Sequence, residues 1–374
     1  MLHRRSIIAA AATLLLLAAT PVRAADVSPN DVALFIAGMP PAADSPLAAL
    51  TRDKAWQDHA RTFDASFGLA GQNISRVRAW SKANLTTTRS TLFYLFSGPD
   101  FIYANAFYPK AKTYVLAGLE PVGTVPDPTT LRGSFASDFS ALRNSLRWLL
   151  QKSYFITAQM GSDLHRGRFT GTVSVLYVFL ARSGHTIHEV SRVKLDETGA
   201  LQPDDLSVRK VPARGVKITF AGSDGEERTL YYFSTDLSNG GVANSKFLEF
   251  CQTLAPGDGL VKSASYLLHN QGFSTVREFL LANTGVMVQD DTGIPLSYFD
   301  PKKWDLQPFG KYVHPVRDFR NMYRASYAAF FKNARPIDFG VGYHWRPDQS
   351  NLLLAVKKQG VSSTEPPLRP SLAP

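Results

Sequence analysis

The sequence predicts an α/β fold in which helices flank a mixed, partly parallel central sheet, preceded by a helical N-terminal segment. Three observations support this prediction. Short runs of β-branched and aromatic residues, such as TLFYLF at 91–96, are typical of buried strands. Segments with apolar residues three and four positions apart lie between these runs and indicate helices. In the second half, GVKITF and TLYYFS flank AGSDGEER, which predicts an antiparallel hairpin.

The first 24 residues have the pattern of a secretory signal peptide. Arg4 and Arg5 precede a largely apolar run from Ile7 to Ala19, and PVRA ends in a small-residue cleavage site at Ala24. The apolar run is 13 residues long, whereas a membrane-spanning helix needs about 20. We therefore expect cleavage near Ala24, export to the bacterial periplasm or beyond, and no transmembrane segment.

Composition and charge are those of an ordinary globular protein. The 374 residues are 44% apolar and 19% charged, with a net charge of +10. Without the first 24 residues, 38 basic and 31 acidic residues leave about +7. The basic residues are dispersed, with no run of five or more, so we predict no nucleic-acid partner. The expected partner is a small molecule or an envelope component, and the oligomeric state stays open.

The chain has one cysteine, which excludes an intrachain disulfide although the expected destination is oxidising. Cys251 lies in SKFLEFCQTL, where Phe247, Leu248 and Leu254 fall on the same helical face. We expect a buried structural thiol.

The helical segment covers residues 25–90. Ser28 and Pro29 suit the N-cap and first position of a helix. Trp56, His59 and Phe63 then recur at helical spacing, which indicates one buried face.

Residues 91–358 form the predicted α/β domain. Its first half contains the strands TLFYLF and KTYVLAGLEP, an amphipathic helix over 137–153, and TVSVLYVFLARSG, whose length favours a buried helix over a strand. Its second half contains the helices SKFLEFCQTL and STVREFLLAN and the strand GVMVQDDTG. One long helix is expected over 316–334, followed by a terminal hairpin between DFGVGYHW and SNLLLAVKK. The tail, 359–374, is rich in proline and serine and is expected to be disordered.

An internal similarity suggests a duplication within this domain. YLFSGPDF at 94–101 and YYFSTDL at 231–237 share an aromatic-Phe-Ser sequence followed by an aspartate. Two similar half-units, about 91–200 and 211–358, would account for it, although chance similarity is an alternative for so short a match.

The stretch from Thr91 to Gly123 reads as strand, SGPD turn, short helix, second strand, and then the carboxylate of Glu120. This resembles the Rossmann-like and methyltransferase-like arrangement over about 30 residues. The resemblance implies a glycine turn against a cofactor and an acid on its ribose hydroxyls. Only Gly98 is present, however, and Pro99 lacks the N–H that such a turn would donate. We predict the local topology without a cofactor.

Polar residues follow several of the predicted strands. In open α/β sheets, ligands bind outside the carboxyl ends of the strands, so these residues would converge on one site. The predicted ligand-binding residues are Ser97, Gly98, Asp100, Glu120, Ser234, Asp290 and Asp291. The competing interpretation of Asp100 is a simple helix N-cap, in which case Asp100→Asn would be mild.

A catalytic site is the alternative. Ser265 and His269 are four residues apart and would share a helical face, with Asp236 or Asp290 completing a triad. No G-x-S-x-G sequence supports this. The single DTG at 291–293 lacks the second copy that an aspartic protease needs, and HTIHE at 185–189 places its histidines on opposite faces of a strand, so no metal site is predicted.

The sequence thus favours an exported ligand-binding or accessory protein of the cell envelope. A hydrolase or transferase that uses Ser265, His269 and Asp236 is the second hypothesis. A structural envelope protein without a small-molecule site is the third.

Overall fold

A ten-stranded mixed sheet runs through the part of the chain that this computed structural model describes, residues 27–127, 133–155, 162–163 and 167–358. The strands are β1 (Thr91–Tyr94), β2 (Thr113–Gly118), β3 (Thr186–Leu195), β4 (Leu201–Pro203), β5 (Ala213–Ala221), β6 (Glu227–Ser234), β7 (Gly257–Val261), β8 (Thr284–Gln289), β9 (Trp304–Gly310) and β10 (Asn351–Lys357). Their spatial order is β4-β3-β5-β6-β2-β1-β7-β8-β10-β9. The predicted signal peptide and tail lie outside the described residues.

The five central strands are parallel and follow the doubly wound order. Strands β6, β2, β1, β7 and β8 pair in parallel, which reads 3-2-1-4-5 when the five are numbered along the chain. The chain moves from β1 toward one edge through β2 and β6, then returns to β7 and moves toward the other edge. The direction of winding therefore reverses between β1 and β7, where open α/β sheets form their ligand crevice. Antiparallel strands extend both sides, and β4 and β9 are the two edges.

Helices cover both faces of the sheet and confirm the predicted α/β class. They are α1 (Pro29–Ile36), α2 (Lys54–Asn84), α3 (Phe101–Phe107), α4 (Ala136–Lys152), α5 (Gly171–Arg182), α6 (Asn239–Ser245), α7 (Phe247–Thr253), α8 (Ser274–Asn283) and α9 (Ala325–Phe330). Helices α1 to α5 contribute to the core on one face, and α6 to α9 to the core on the other. The predicted helical N-terminal segment is confirmed as α1 and α2.

Alternate side chains of the central strands point to opposite faces of the sheet and contribute to two separate cores. In β1, Leu92 and Tyr94 point to the α1–α5 side, whereas Phe93 packs on the opposite side. Because helices cover both faces, all four residues of β1 are buried, and all but Thr91 are apolar or aromatic. Cys251 is 1% exposed in the second core, as expected for a structural thiol; burial raises the pKa of that thiol.

Two sequence predictions near the C-terminus are wrong. The segment 316–334 is not one helix: a 3-10 stretch, Arg317–Met322, breaks at Phe319 (φ −122°), and α9 spans only six residues. DFGVGYHW does not pair with SNLLLAVKK, because Gly342 has φ +72° and only an isolated bridge joins Val341 to His344. The strand β10 instead pairs with β8 and β9, which offer two ladders and burial on both faces.

The two proposed half-units are not separate blocks in space. Strands β5 and β6 lie on one side of β2 and β1, and β7 to β10 lie on the other. The duplication stays a prediction. Within the described ranges, no helix combines the length and the apolar character required to span a membrane.

Candidate functional site

A cavity of about 170 Å³ opens at the carboxyl ends of the parallel strands. Four of the parallel strands contribute to its wall. The lining residues are Phe96 and Gly98 after β1, Gly118 at the end of β2 with Leu119 and Glu120 after it, Thr235, Asp236 and Leu237 after β6, Ser263, Ala264, Ser265 and Leu267 after β7, and Phe273. The cavity therefore adjoins the point where the winding of the sheet reverses, the usual ligand position in such folds.

A larger cavity of about 370 Å³ lies on the face of the sheet that α1 to α5 cover, against α2, α3 and α4. Asn73, one of the polar residues that line it, is already hydrogen-bonded within the fold. The Asn73 amide donates to Gly340 O (2.8 Å) and to the Tyr103 hydroxyl (3.0 Å), and it accepts from Gly340 N (2.8 Å). We therefore regard the smaller cavity at the strand ends as the better candidate.

Glu120 is the distinctive side chain of the strand-end cavity. It is only 4% exposed and lies on the wall. Tyr232 supplies the one hydrogen bond that its carboxylate receives from the described residues, and that contact is long, 3.4 Å to Oε2. The same hydroxyl also lies 2.7 Å from the Glu120 carbonyl oxygen, which is the better acceptor for its single proton. A buried carboxylate with so little compensation is costly unless something else donates to it.

Two glycines make room for this carboxylate. A Cβ on Gly118 would overlap Oε2 of Glu120, and a Cβ on Gly98 would lie 3.3 Å from it. Gly98 also has φ +56°, a conformation that favours glycine. The Gly98 N–H donates to Ala117 O (3.0 Å), which ties the turn after β1 to the end of β2. Glycine therefore occurs at the two positions where the Glu120 carboxylate packs directly against the backbone.

Apolar groups form the rest of the cavity wall. The rings of Phe96 and Phe273 have centroids 6.2 Å apart. Leu119 stands next to Glu120 and is 67% exposed, so its side chain adds apolar surface at the cavity. Together they offer apolar surface beside an acidic acceptor, a combination that suits a ring with hydroxyl groups.

The segment after β7 is held in a strained conformation at the cavity. Ser263, Ser265 and Tyr266 have φ of 54°, 50° and 55°. The Ser263 N–H donates to Asp290 Oδ2 (2.9 Å), and the Ser265 hydroxyl bonds to the Tyr343 hydroxyl (2.8 Å). Such strain persists where the surroundings enforce it, and it concentrates at functional sites. The Ser263 Oγ is buried and has no hydrogen-bond partner among the described residues.

Asp290 and Asp291, predicted as ligand-binding residues, lie behind this segment and are absent from the cavity wall. Asp290 accepts from Thr292 as well as from Ser263, and Asp291 accepts from Tyr266 and Asn351. Burial, reinforced by the neighbouring Asp291, raises the pKa of Asp290 to about 6. Their contacts stabilise the shape of the 263–266 segment.

Asp100 is the N-cap of α3, as the competing interpretation proposed. Its Oδ1 accepts from Tyr103 N (3.3 Å). It is also more than a cap: Oδ2 accepts from the Tyr94 hydroxyl (2.8 Å) and lies 3.0 Å from Lys262 Nζ. Both side chains of this ion pair are at most 2% exposed. Sequence inspection missed the pair because nothing local links residue 100 to residue 262.

Two further predicted residues also stand outside the wall. Ser97 is 7% exposed, and its hydroxyl donates to Gly98 O (2.6 Å). Ser234 is the last residue of β6 and pairs with Gly118. Of the seven predicted ligand-binding residues, Gly98 and Glu120 line the cavity.

The predicted catalytic residues are not joined by hydrogen bonds. Ser265 is bonded to Tyr343, and the Asp236 carboxylate accepts from Ser238 N and Oγ (both 2.8 Å). The Nε2 atom of His269 is buried without a partner among the described residues, and burial lowers the pKa of the ring to about 4. Ser265 and Asp236 line the cavity, whereas His269 does not. Their catalytic role stays a prediction.

Across the described part of the chain, no three His, Cys, Asp or Glu side chains cluster in a way that could hold a metal ion. Comparison with profiles of known protein families, with curated proteins and with solved structures gives no match to this chain. Strand order alone does not specify an activity, so the chemistry of the cavity has to carry the functional argument.

Proposed function

We propose that the protein binds a small hydroxylated ligand in the strand-end cavity, with Glu120 accepting hydrogen bonds from its hydroxyl groups. The buried, under-bonded carboxylate of Glu120 carries this proposal, because ligand hydroxyls would supply the missing donors. An acid at the end of the second strand takes this role toward ribose in doubly wound folds. The volume, about 170 Å³, is below the roughly 300–1,000 Å³ of sites for drug-sized ligands. A single sugar or a compound of similar size fits best.

The remaining wall supports the same ligand class. Phe96 and Phe273 can pack against the apolar face of a ring. Ser263 and Ser265 contribute two hydroxyl-bearing side chains to the wall. Donors, acceptors and apolar surface are thus combined around one small space, which is the usual composition of a ligand site.

We further propose that this binding takes place outside the cytoplasm, as an accessory function of the cell envelope. The charged start, apolar run and PVRA sequence before position 25 support export. The test is cell fractionation with mass measurement of the purified chain: a periplasmic or secreted form that starts near Ala25 supports export, and an intact cytoplasmic form contradicts it.

The binding test uses residues 25–374 and a panel of pentoses, hexoses, polyols and nucleosides, screened by ligand-observed NMR and quantified by calorimetry. Glu120→Gln keeps the size of the side chain but removes its charge, so any ligand that binds should lose at least tenfold in affinity, since hydrogen bonds to charged groups contribute about 1.5–3 kcal/mol. Glu278→Gln is the matched control, because Glu278 is exposed on α8, outside the cavity wall.

Two results would contradict the proposal. One is unchanged affinity in a folded Glu120→Gln variant. The other is the absence of binding across the whole panel, which would favour a structural envelope protein. Turnover of a bound ligand that depends on Ser265 would instead support the hydrolase or transferase hypothesis.

A further inference from the structure

We infer that the strand-end cavity selects ligands without negative charge and rejects their phosphorylated forms. This inference rests on the proposed function and adds the charge class of the ligand to it.

The charge of the cavity wall is the first argument. Glu120 and Asp236 contribute two carboxylates, and the described lining residues include no lysine, arginine or histidine. This contrasts with the whole chain, whose net charge is +10. An anionic group brought into this space would meet two like charges and no cation among the described residues of the wall, so electrostatic complementarity disfavours it.

The turn after β1 is the second argument. Doubly wound folds that bind phosphates hold them with backbone N–H groups of this turn and of the helix that follows. Here Pro99 has no N–H, and the Gly98 N–H is directed to Ala117 O. The Asp100 carboxylate accepts the Tyr103 N–H at the start of α3. The Tyr103 N–H, which could otherwise bind a phosphate, is thus already bonded to the Asp100 carboxylate.

The nearby cations are committed elsewhere, which is the third argument. Lys262 follows β7 directly, but its ammonium pairs with Asp100 (3.0 Å), donates to Ser153 O and lies 4.3 Å from the centroid of the Tyr103 ring. Arg277 bonds to Leu268 O (2.8 Å) and is 2% exposed. Neither side chain is available to neutralise a phosphate in the cavity.

Matched pairs of compounds test this inference on residues 25–374: ribose and ribose 5-phosphate, glucose and glucose 6-phosphate, adenosine and its 5′-monophosphate. Affinities are measured by calorimetry at 20 mM and 300 mM salt. We expect the phosphorylated member to bind at least tenfold more weakly at low salt, which corresponds to about 1.4 kcal/mol. The difference should shrink at high salt, because salt screens the repulsion.

A variant tests whether the charge of the cavity wall causes the weaker binding of the phosphorylated compounds. Asp236→Asn retains an oxygen for the Ser238 N–H while removing one charge, so it should reduce the affinity ratio within each pair; Glu278→Gln should not. Equal or tighter binding of a phosphorylated compound overturns this inference and leaves the proposed function standing. An unchanged ratio in Asp236→Asn also overturns it. Failure of every compound in the set to bind the folded protein counts against the proposed function itself.

Discussion

Removing the ammonium of Lys262 is the most informative perturbation of the scaffold behind the site. Lys262 and Asp100 join the end of β7 to the start of α3, and their side chains are 2% and 1% exposed. Lys262→Met keeps much of the apolar stem but leaves the Asp100 carboxylate buried without its cation. Among the described residues, Asp100 then retains the hydroxyl of Tyr94 and the N–H of Tyr103 as donors.

The size of the effect follows from the distance. Two unit charges 3.0 Å apart attract by about 5 kcal/mol at an effective dielectric constant of about 20. Breaking a buried pair by removing one partner costs about 3–5 kcal/mol, because the other charge stays uncompensated. We therefore expect Lys262→Met to lower the free energy of unfolding by about 3–5 kcal/mol. For the same reason Asp100→Asn should cost far more than the exchange of a simple N-cap, which an amide nearly preserves.

Urea unfolding, followed by circular dichroism and tryptophan fluorescence, measures these free energies. The cycle comprises Lys262→Met, Asp100→Asn and the double variant, with Lys110→Met at an exposed position as the control. The double variant should be less destabilised than the sum of the single ones by at least about 2 kcal/mol, since it contains no isolated charge. Additive losses, or a loss below about 1 kcal/mol for Lys262→Met, would refute the reasoning.

Two further predictions concern Gly118 and His59. Gly118→Ala places a Cβ on the Glu120 carboxylate, so we expect a loss of about 1–3 kcal/mol in stability and weaker ligand binding. Gly240→Ala is the control, because a Cβ there meets open space; equal stability of the two variants would contradict the steric argument. Burial lowers the pKa of His59 to about 4, whereas the pKa in the unfolded chain is about 6.5. The neutral ring therefore contributes its full stability above pH 6.5. As the pH falls from 6.5 through 4, the free energy of unfolding should decrease by about 3 kcal/mol. Urea titrations between pH 7 and 4 should show a shallower decline for His59→Gln, and parallel curves would argue against this assignment.

Local patterns were sufficient to predict most of the fold. TLFYLF predicted β1 because a central strand covered on both faces is mostly apolar rather than alternating. The segment 171–182 was recognised as a helix by its length, and its burial on all sides is consistent with its position between α1, α3 and α4. The failures fall where partners distant in sequence decide the structure: β10 pairs with β8 and β9 rather than with its neighbour in sequence.

The candidate site was predictable only in part. Gly98 and Glu120 were identified because a turn after one strand and an acid after the next are local features of the chain. The aromatic wall was missed, since Phe96 and Phe273 have no sequence signal that separates them from core residues. The strained 263–266 segment was also missed: its conformation depends on Asp290 and Tyr343, which come from later parts of the chain.

The two edges of the sheet bear on whether a second copy of this chain could add a strand to it. An open sheet edge is a template on which another copy can add a strand, which is the first step toward aggregation. Here β4 is three residues long and ends in Pro203, and β9 carries Pro308, so each edge lacks a donor that an incoming strand would need. Arg335 also lies alongside β9. Its N–H donates to Pro308 O (3.2 Å), and its carbonyl oxygen accepts from the N–H of Gly310 (2.7 Å). The ten-stranded sheet thus ends in two edge strands that each contain a proline, which discourages the addition of an eleventh strand.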